Sequence, residues 1–192
     1  ETMPCSLCQP ENSEIQAVNS FCPSCNSYPE DRAFARFFRD YVKPLVPAGA
    51  KILDVAPPGP QLAHFPVSSF IGDTRYTAIA PLPLPDAEGL KPPHRFLEMD
   101  ITRLSFSDAS FEVIICNHVL PYVRSDFLAM SELHRCLKAD GAAFLSVMMG
   151  PGKSRRAGEG TGLPGTGREW RYGEEYFERL EAAGLFVLKI PL

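Results

Sequence analysis

Four of the six cysteines fall within the first 25 residues as two Cys-x2-Cys pairs, Cys5 with Cys8 and Cys22 with Cys25. Each such turn presents two thiolates to one point, and two turns together make the tetrahedral four-sulfur set of a structural zinc ion. Two disulfides are the alternative, but nothing in the sequence suggests secretion and the knuckle spacing favours metal. His118 follows an apolar run and could act as a base or touch a substrate, although a lone loop histidine is more often structural. Lys153, Arg155 and Arg156 sit in a Gly- and Pro-rich stretch and could meet an anionic substrate, with a solvated loop as the plainer alternative. Cys116 and Cys136 read as buried apolar residues.

The elements that must carry these residues follow from pattern. Residues 51–56, 75–80, 96–99, 111–116 and 142–148 are short apolar runs, and FEVIIC at 111–116 scarcely alternates, as a strand buried on both faces requires. Ser125 offers an N-cap, Phe127, Met130, Leu133 and Leu137 recur at near-helical spacing, and Gly141 reads as the stop before the next strand. Strand, helix, strand with apolar strands predicts a parallel α/β sheet. Before it, Ser27 and Glu30 form a capping-box pattern, and Phe34, Phe37, Phe38 and Tyr41 predict an amphipathic helix ended by Pro44. Residues 61–70 predict a helical stub limited by Pro66, and residues 81–94 a Pro-dense crossover. Residues 150–167 read as a loop leaving the carboxyl edge of the sheet, with Trp170 and Tyr172 packing beneath it or in the core. A last helix at 173–183 turns Tyr176, Phe177 and Leu180 inward and stops at Gly184, and residues 185–190 predict a final strand.

The run MDITRLSFSDASFEVIICNHVL, continued by ELHRCLKADGAAFLSV, resembles the second half of the class I S-adenosylmethionine (SAM)-dependent methyltransferase domain, methyltransferase type 11-like. KILDVAP at 51–57 and RYGEEYFERLEAAGLF at 171–186 resemble a group that joins a cysteine-rich knuckle to that domain. The resemblance implies a Rossmann-like sheet with helices on both faces as residues 29–192, preceded by a zinc knuckle as residues 1–28, and one more edge strand than the sequence holds.

It also implies a cofactor site. Asp54, Ala56 and Gly59 match the first loop, where glycines normally let the backbone approach SAM; here Pro57, Pro58 and Pro60 remove backbone donors. Ala80 falls where the family places the acid that accepts from the ribose hydroxyls. Asp100 matches the acceptor of the adenine amine and Ile101 the residue packed on the ring, while Asn117 and His118 match the loop beneath the transferable methyl. Two functions follow: a SAM-dependent methyltransferase of a small metabolite with a relaxed cofactor site, or a pseudo-methyltransferase serving as a binding or scaffold subunit, with a protein partner or a homodimer.

Nineteen basic against 23 acidic residues, a formal charge of -4, argue against a duplex nucleic-acid binder, and the knuckle lacks the basic and aromatic clustering of an RNA-binding one. No apolar run approaches the roughly 20 residues of a membrane span, and the N-terminus lacks a signal-peptide pattern, so a cytoplasmic protein is expected.

Overall fold

The computed structural model describes residues 3–4, 14–15, 22–23, 27–57, 75–81, 95–157 and 167–189. Within them β3 (Lys51–Val55), β4 (Arg75–Ala80), β5 (Arg95–Glu98), β6 (Phe111–Asn117) and β7 (Leu137–Ser146) form one parallel sheet in the order β5-β4-β3-β6-β7. Two short antiparallel pairs flank it: β1 (Met3–Pro4) with β2 (Glu14–Ile15), and β8 (Arg155–Arg156) with β9 (Trp170–Arg171). The chain returns from β5 to β6 on the far side of β3, which makes the β3–β6 boundary the topological switch point, where ligand crevices open in such sheets.

Alternation along the strands splits the core in two. Ile52, Tyr76, Ala78, Val113 and Ile115 face α1 (Pro29–Phe37) and its extension, through Phe34, Phe38 and Val42. Leu53, Val55, Ile79, Ile114 and Cys116 face α2 (Asp126–Cys136) and α3 (Glu175–Ala182), through Ala129, Met130, Leu133, Tyr176 and Leu180. Helices therefore cover both faces, and Cys116 and Cys136 are fully buried apolar residues. Among the described residues no helix is long and apolar enough to cross a membrane.

Several local expectations need correction. Pro44 does not end the first helix: after Phe37 the chain passes through a π turn (Phe38–Val42) and a 3-10 turn (Lys43–Leu45) that accommodates the proline near its start. The wider turn brings Val42 into the core and leaves Tyr41 exposed. Ser125 holds the N-cap position of α2 without a side-chain bond, while Asp126 Oδ1 accepts the Phe127 N–H at 2.9 Å; Phe127 itself is exposed. Gly141 is not the helix stop, because α2 ends at Cys136 and Gly141 lies within β7. A Cβ on Gly141 would come 2.9 Å from the Glu112 carbonyl oxygen, so this glycine serves close strand approach at a bulge in the β6–β7 pairing.

The stretch 150–167 is not structureless where described, since Arg155–Arg156 pairs with Trp170–Arg171. Residues 185–189 form no strand; Leu185 and Val187 pack on the core while Phe186 and Leu188 are exposed. Gly184 does end α3, with φ +100°. The stub at 61–70, Gly59, Pro58, Pro60, Pro66 and most of the 81–94 crossover lie outside the described residues, as do Cys5, Cys8 and Cys25. Cys22 is described: it is fully buried with Phe34 and Phe38, and its N–H donates to the Ser27 carbonyl at 3.0 Å. Among the described residues there is no cluster of three or more potential metal ligands.

Candidate functional site at the carboxyl edge of the sheet

The ends of the central strands open into one cleft of about 1310 Å³, lined by Ala56, Ala80, Asp100, Ile101, Asn117 and His118 together. Strand geometry explains the convergence: parallel neighbours release their chains on one side, so residues far apart in sequence meet there. Ala56 and His118, just past β3 and β6, both adopt positive φ, +46° and +58°. Such backbone is costly for residues with a Cβ and concentrates at functional sites. It is held by the Ala56 N–H donating to Ile79 O at 2.6 Å and the His118 N–H donating to Ser146 O at 3.0 Å. Beside His118, the Ser146 hydroxyl donates to Asn117 Oδ1.

Asp100 is exposed, and its Oδ1 accepts from the Thr102 N–H at 2.8 Å and the Thr102 hydroxyl at 2.9 Å. Oδ2 makes no hydrogen bond among the described residues. Ile101 is buried in the core while still lining the cleft. The loop behind this turn is clamped by Arg135 of α2, which donates to the carbonyls of Leu104 (2.9 Å) and Phe106 (2.7 Å), to Asp108 (2.8 Å) and to Glu132 (2.7 Å). Glu132 Oε2 in turn accepts the Leu104 N–H at 2.7 Å.

Asp54 does not line the cleft. Its side chain lies on the α1 face of the sheet, where Oδ2 accepts the Tyr76 hydroxyl at 2.9 Å and Oδ1 has no partner among the described residues. Burial pushes its carboxyl up to about 7, against the lowering effect of that hydrogen bond. Ala80 is buried at the end of β4 and can accept no side-chain hydrogen bond; its carbonyl takes the Met99 N–H at 2.8 Å.

Sequence reasoning missed the opposite wall of the cleft, which includes Tyr122, Arg124, Met148, Arg168 and Arg171, and which Trp170 also lines. Trp170 stacks on Tyr172 at 6.1 Å, lies beneath the Arg179 guanidinium at 4.5 Å, and donates from Nε1 to Arg124 O at 3.3 Å. Tyr172 is core: its hydroxyl donates to Asp126 Oδ2 at 2.8 Å, and Arg179 binds the same carboxylate. The usable signal was position, since Tyr122 and Arg124 follow β6 and Met148 follows β7.

A doubly wound parallel sheet with a crevice at its switch point is a Rossmann-like nucleotide-binding architecture. Residues 73–145 match the family model described as a methyltransferase domain. The fold is shared with the Burkholderia thailandensis 1,6-didemethyltoxoflavin-N1-methyltransferase, solved with bound 1,6-didemethyltoxoflavin and S-adenosylhomocysteine (TM-score 0.60, 21% identity, 80% of this chain and 66% of that one). It is shared too with a Haloferax volcanii putative methyltransferase in complex with the Trm112 methyltransferase activator (0.59, 17%, 83% and 74%). A third likeness is the [4+2]-cyclase SpnF (0.61, 23%, 82% and 58%). The chain thus spans between 58% and 74% of the length of these structures. None of the curated proteins matches the chain. At 17% to 23% identity these likenesses establish a shared fold.

Proposed function

We propose that the protein is a cytoplasmic SAM-dependent methyltransferase acting on a small metabolite or natural-product intermediate, with a relaxed cofactor site. The observation that carries this reading is the single cleft into which Ala56, Ala80, Asp100, Ile101, Asn117 and His118 converge. The donor set fits the adenine end of SAM: Asp100 keeps an uncommitted carboxylate oxygen beside the apolar Ile101. It does not supply the ribose acceptor, because Ala80 stands there. SAM, when bound, supplies a methyl carbon already activated by its sulfonium, so the chain needs mainly to align it with a nucleophile. Asn117 and His118 would shape the floor between the two ligands, and His118 could take the acceptor's proton. Asp54 would act from below, through the strand that carries the first loop.

Calorimetric titration with SAM and S-adenosylhomocysteine tests this. Micromolar binding is expected; Asp100→Ala should weaken it about three- to tenfold, and Ala80→Asp should tighten it about tenfold by adding a charge-assisted acceptor. No binding at millimolar ligand would sink the enzyme reading. The second reading, a pseudo-methyltransferase scaffold, is favoured by one observation, the apolar Ala80 at the ribose position. That a cyclase shares the fold shows that the architecture alone does not dictate methyl transfer.

The proposal also includes residues 1–28 as a zinc knuckle held by Cys5, Cys8, Cys22 and Cys25, before a methyltransferase domain at 29–192. Its support is the spacing of the two pairs and the hydrogen bond from the Cys22 N–H to the Ser27 carbonyl. Metal analysis should return about one zinc per chain, falling in Cys22→Ser; metal-free protein with two intact disulfides would refute it. A protein partner is included on the strength of the activator complex, and a homodimer is the alternative.

A further inference from the structure

The cleft is electrically lopsided. Arg124, Arg168 and Arg171 line its β6–β7 side, and Asp100, across β3 and β4 at the other end, is the one carboxylate among the described lining residues. Arg171 stands directly opposite Arg155 in the β8–β9 ribbon, and both are exposed. Like charges paired across strands are destabilising, and neither guanidinium has an ion pair or hydrogen bond among the described residues. The arrangement breaks a local rule in the way that an anion site does before its anion arrives.

The Arg171 guanidinium also lies directly over Gly150: a Cβ there would fall 2.6 Å from its Nε and 2.9 Å from its Nη2, so a side chain at 150 would push the guanidinium aside. The Gly150 N–H donates to Tyr172 O at 2.8 Å and fixes that approach. Next to these cations lies an apolar surface: Tyr122, Met148 and Met149 are 49%, 61% and 43% exposed, Arg168 lies over the Tyr122 ring at 5.8 Å, and Trp170 is packed by Tyr172, Arg179 and Arg156.

We propose that the acceptor is a ring-bearing molecule with a carboxylate or phosphate, its anion bound by Arg171 with Arg124 and Arg168 and its ring on Tyr122 and Met148, beside the edge of Trp170. Forked guanidinium donors match both anions, and their charge-assisted bonds are about twice as strong as neutral ones. Calling this ligand the acceptor rests on the methyl-transfer reading; the binding event does not.

Trp170 is the chain's only tryptophan, so its fluorescence reports occupancy of this wall directly. The full-length protein is titrated with benzoate, phenyl phosphate and the neutral benzamide, with and without S-adenosylhomocysteine. At least one anion should bind about tenfold or more tightly than benzamide, and Arg171→Gln and Arg124→Gln should each reduce that preference without lowering the unfolding midpoint. Benzoate against phenyl phosphate tells which anion is favoured. Equal binding of anions and benzamide, no response to any of them, or a preference surviving in both variants would overturn the proposal. Failure to bind S-adenosylhomocysteine alongside an intact anion preference would instead count only against methyl transfer.

Discussion

Asp54→Asn should gain about 2–3 kcal/mol of stability relative to the wild type between pH 5 and pH 8, measured by urea unfolding. The carboxyl is almost fully inaccessible, with the Tyr76 hydroxyl on one oxygen and, among the described residues, nothing on the other. Its value is raised from 3.8 to about 7, so in the folded protein it keeps its proton where the unfolded chain has lost it. The sign follows: below about pH 4 both states are protonated and this residue adds no pH dependence. From there to about pH 7 stability falls as pH rises, and above pH 7 the penalty stays constant. Asn keeps the shape and an acceptor for Tyr76 without a charge to bury. If wild type and variant differ equally at both pH values, Asp54 is ionised in the folded state and must have a partner beyond the described residues.

Asp126→Ala should cost about 3 kcal/mol or more of unfolding free energy. Asp126 is 2% exposed and gathers three elements on one carboxylate: α2 through the Phe127 N–H, the chain after β9 through the Tyr172 hydroxyl, and α3 through Arg179. Removing it leaves the buried Tyr172 hydroxyl with only the long 3.4 Å bond to the Leu120 carbonyl and a guanidinium whose side chain is 28% exposed without its counterion. Because the same guanidinium covers Trp170, the variant should also shift tryptophan emission to the red. A loss below about 1 kcal/mol would mean that solvent replaces the pair cheaply.

The parallel sheet was legible because β3, β4 and β6 are continuous apolar runs, a pattern set by burial on both faces and independent of distant partners. The same signal overreached at residues 185–189, where apolar content alone cannot say whether a neighbouring edge exists. Gly141 misled because glycine serves both a helix stop and a close strand contact, and only the Glu112 carbonyl above it distinguishes them. In the cleft, the wall inherited from the resemblance was legible through Asp100, Ile101, Asn117 and His118. The arginine wall was not: Arg124, Arg168 and Arg171 are ordinary surface residues until the Glu169 N–H donates to the Pro121 carbonyl and Trp170 Nε1 to the Arg124 carbonyl, which brings the two segments together at one edge.

The Arg135 clamp divides the cleft by thermodynamic character. Four acceptors drawn from the loop and from Glu132 freeze the chain behind Asp100 when the protein folds, so the conformational entropy of that wall is surrendered once, before any ligand arrives. A ligand meeting it gains contact energy with little ordering cost, and the rate of association there is set by diffusion and fit instead of by loop rearrangement.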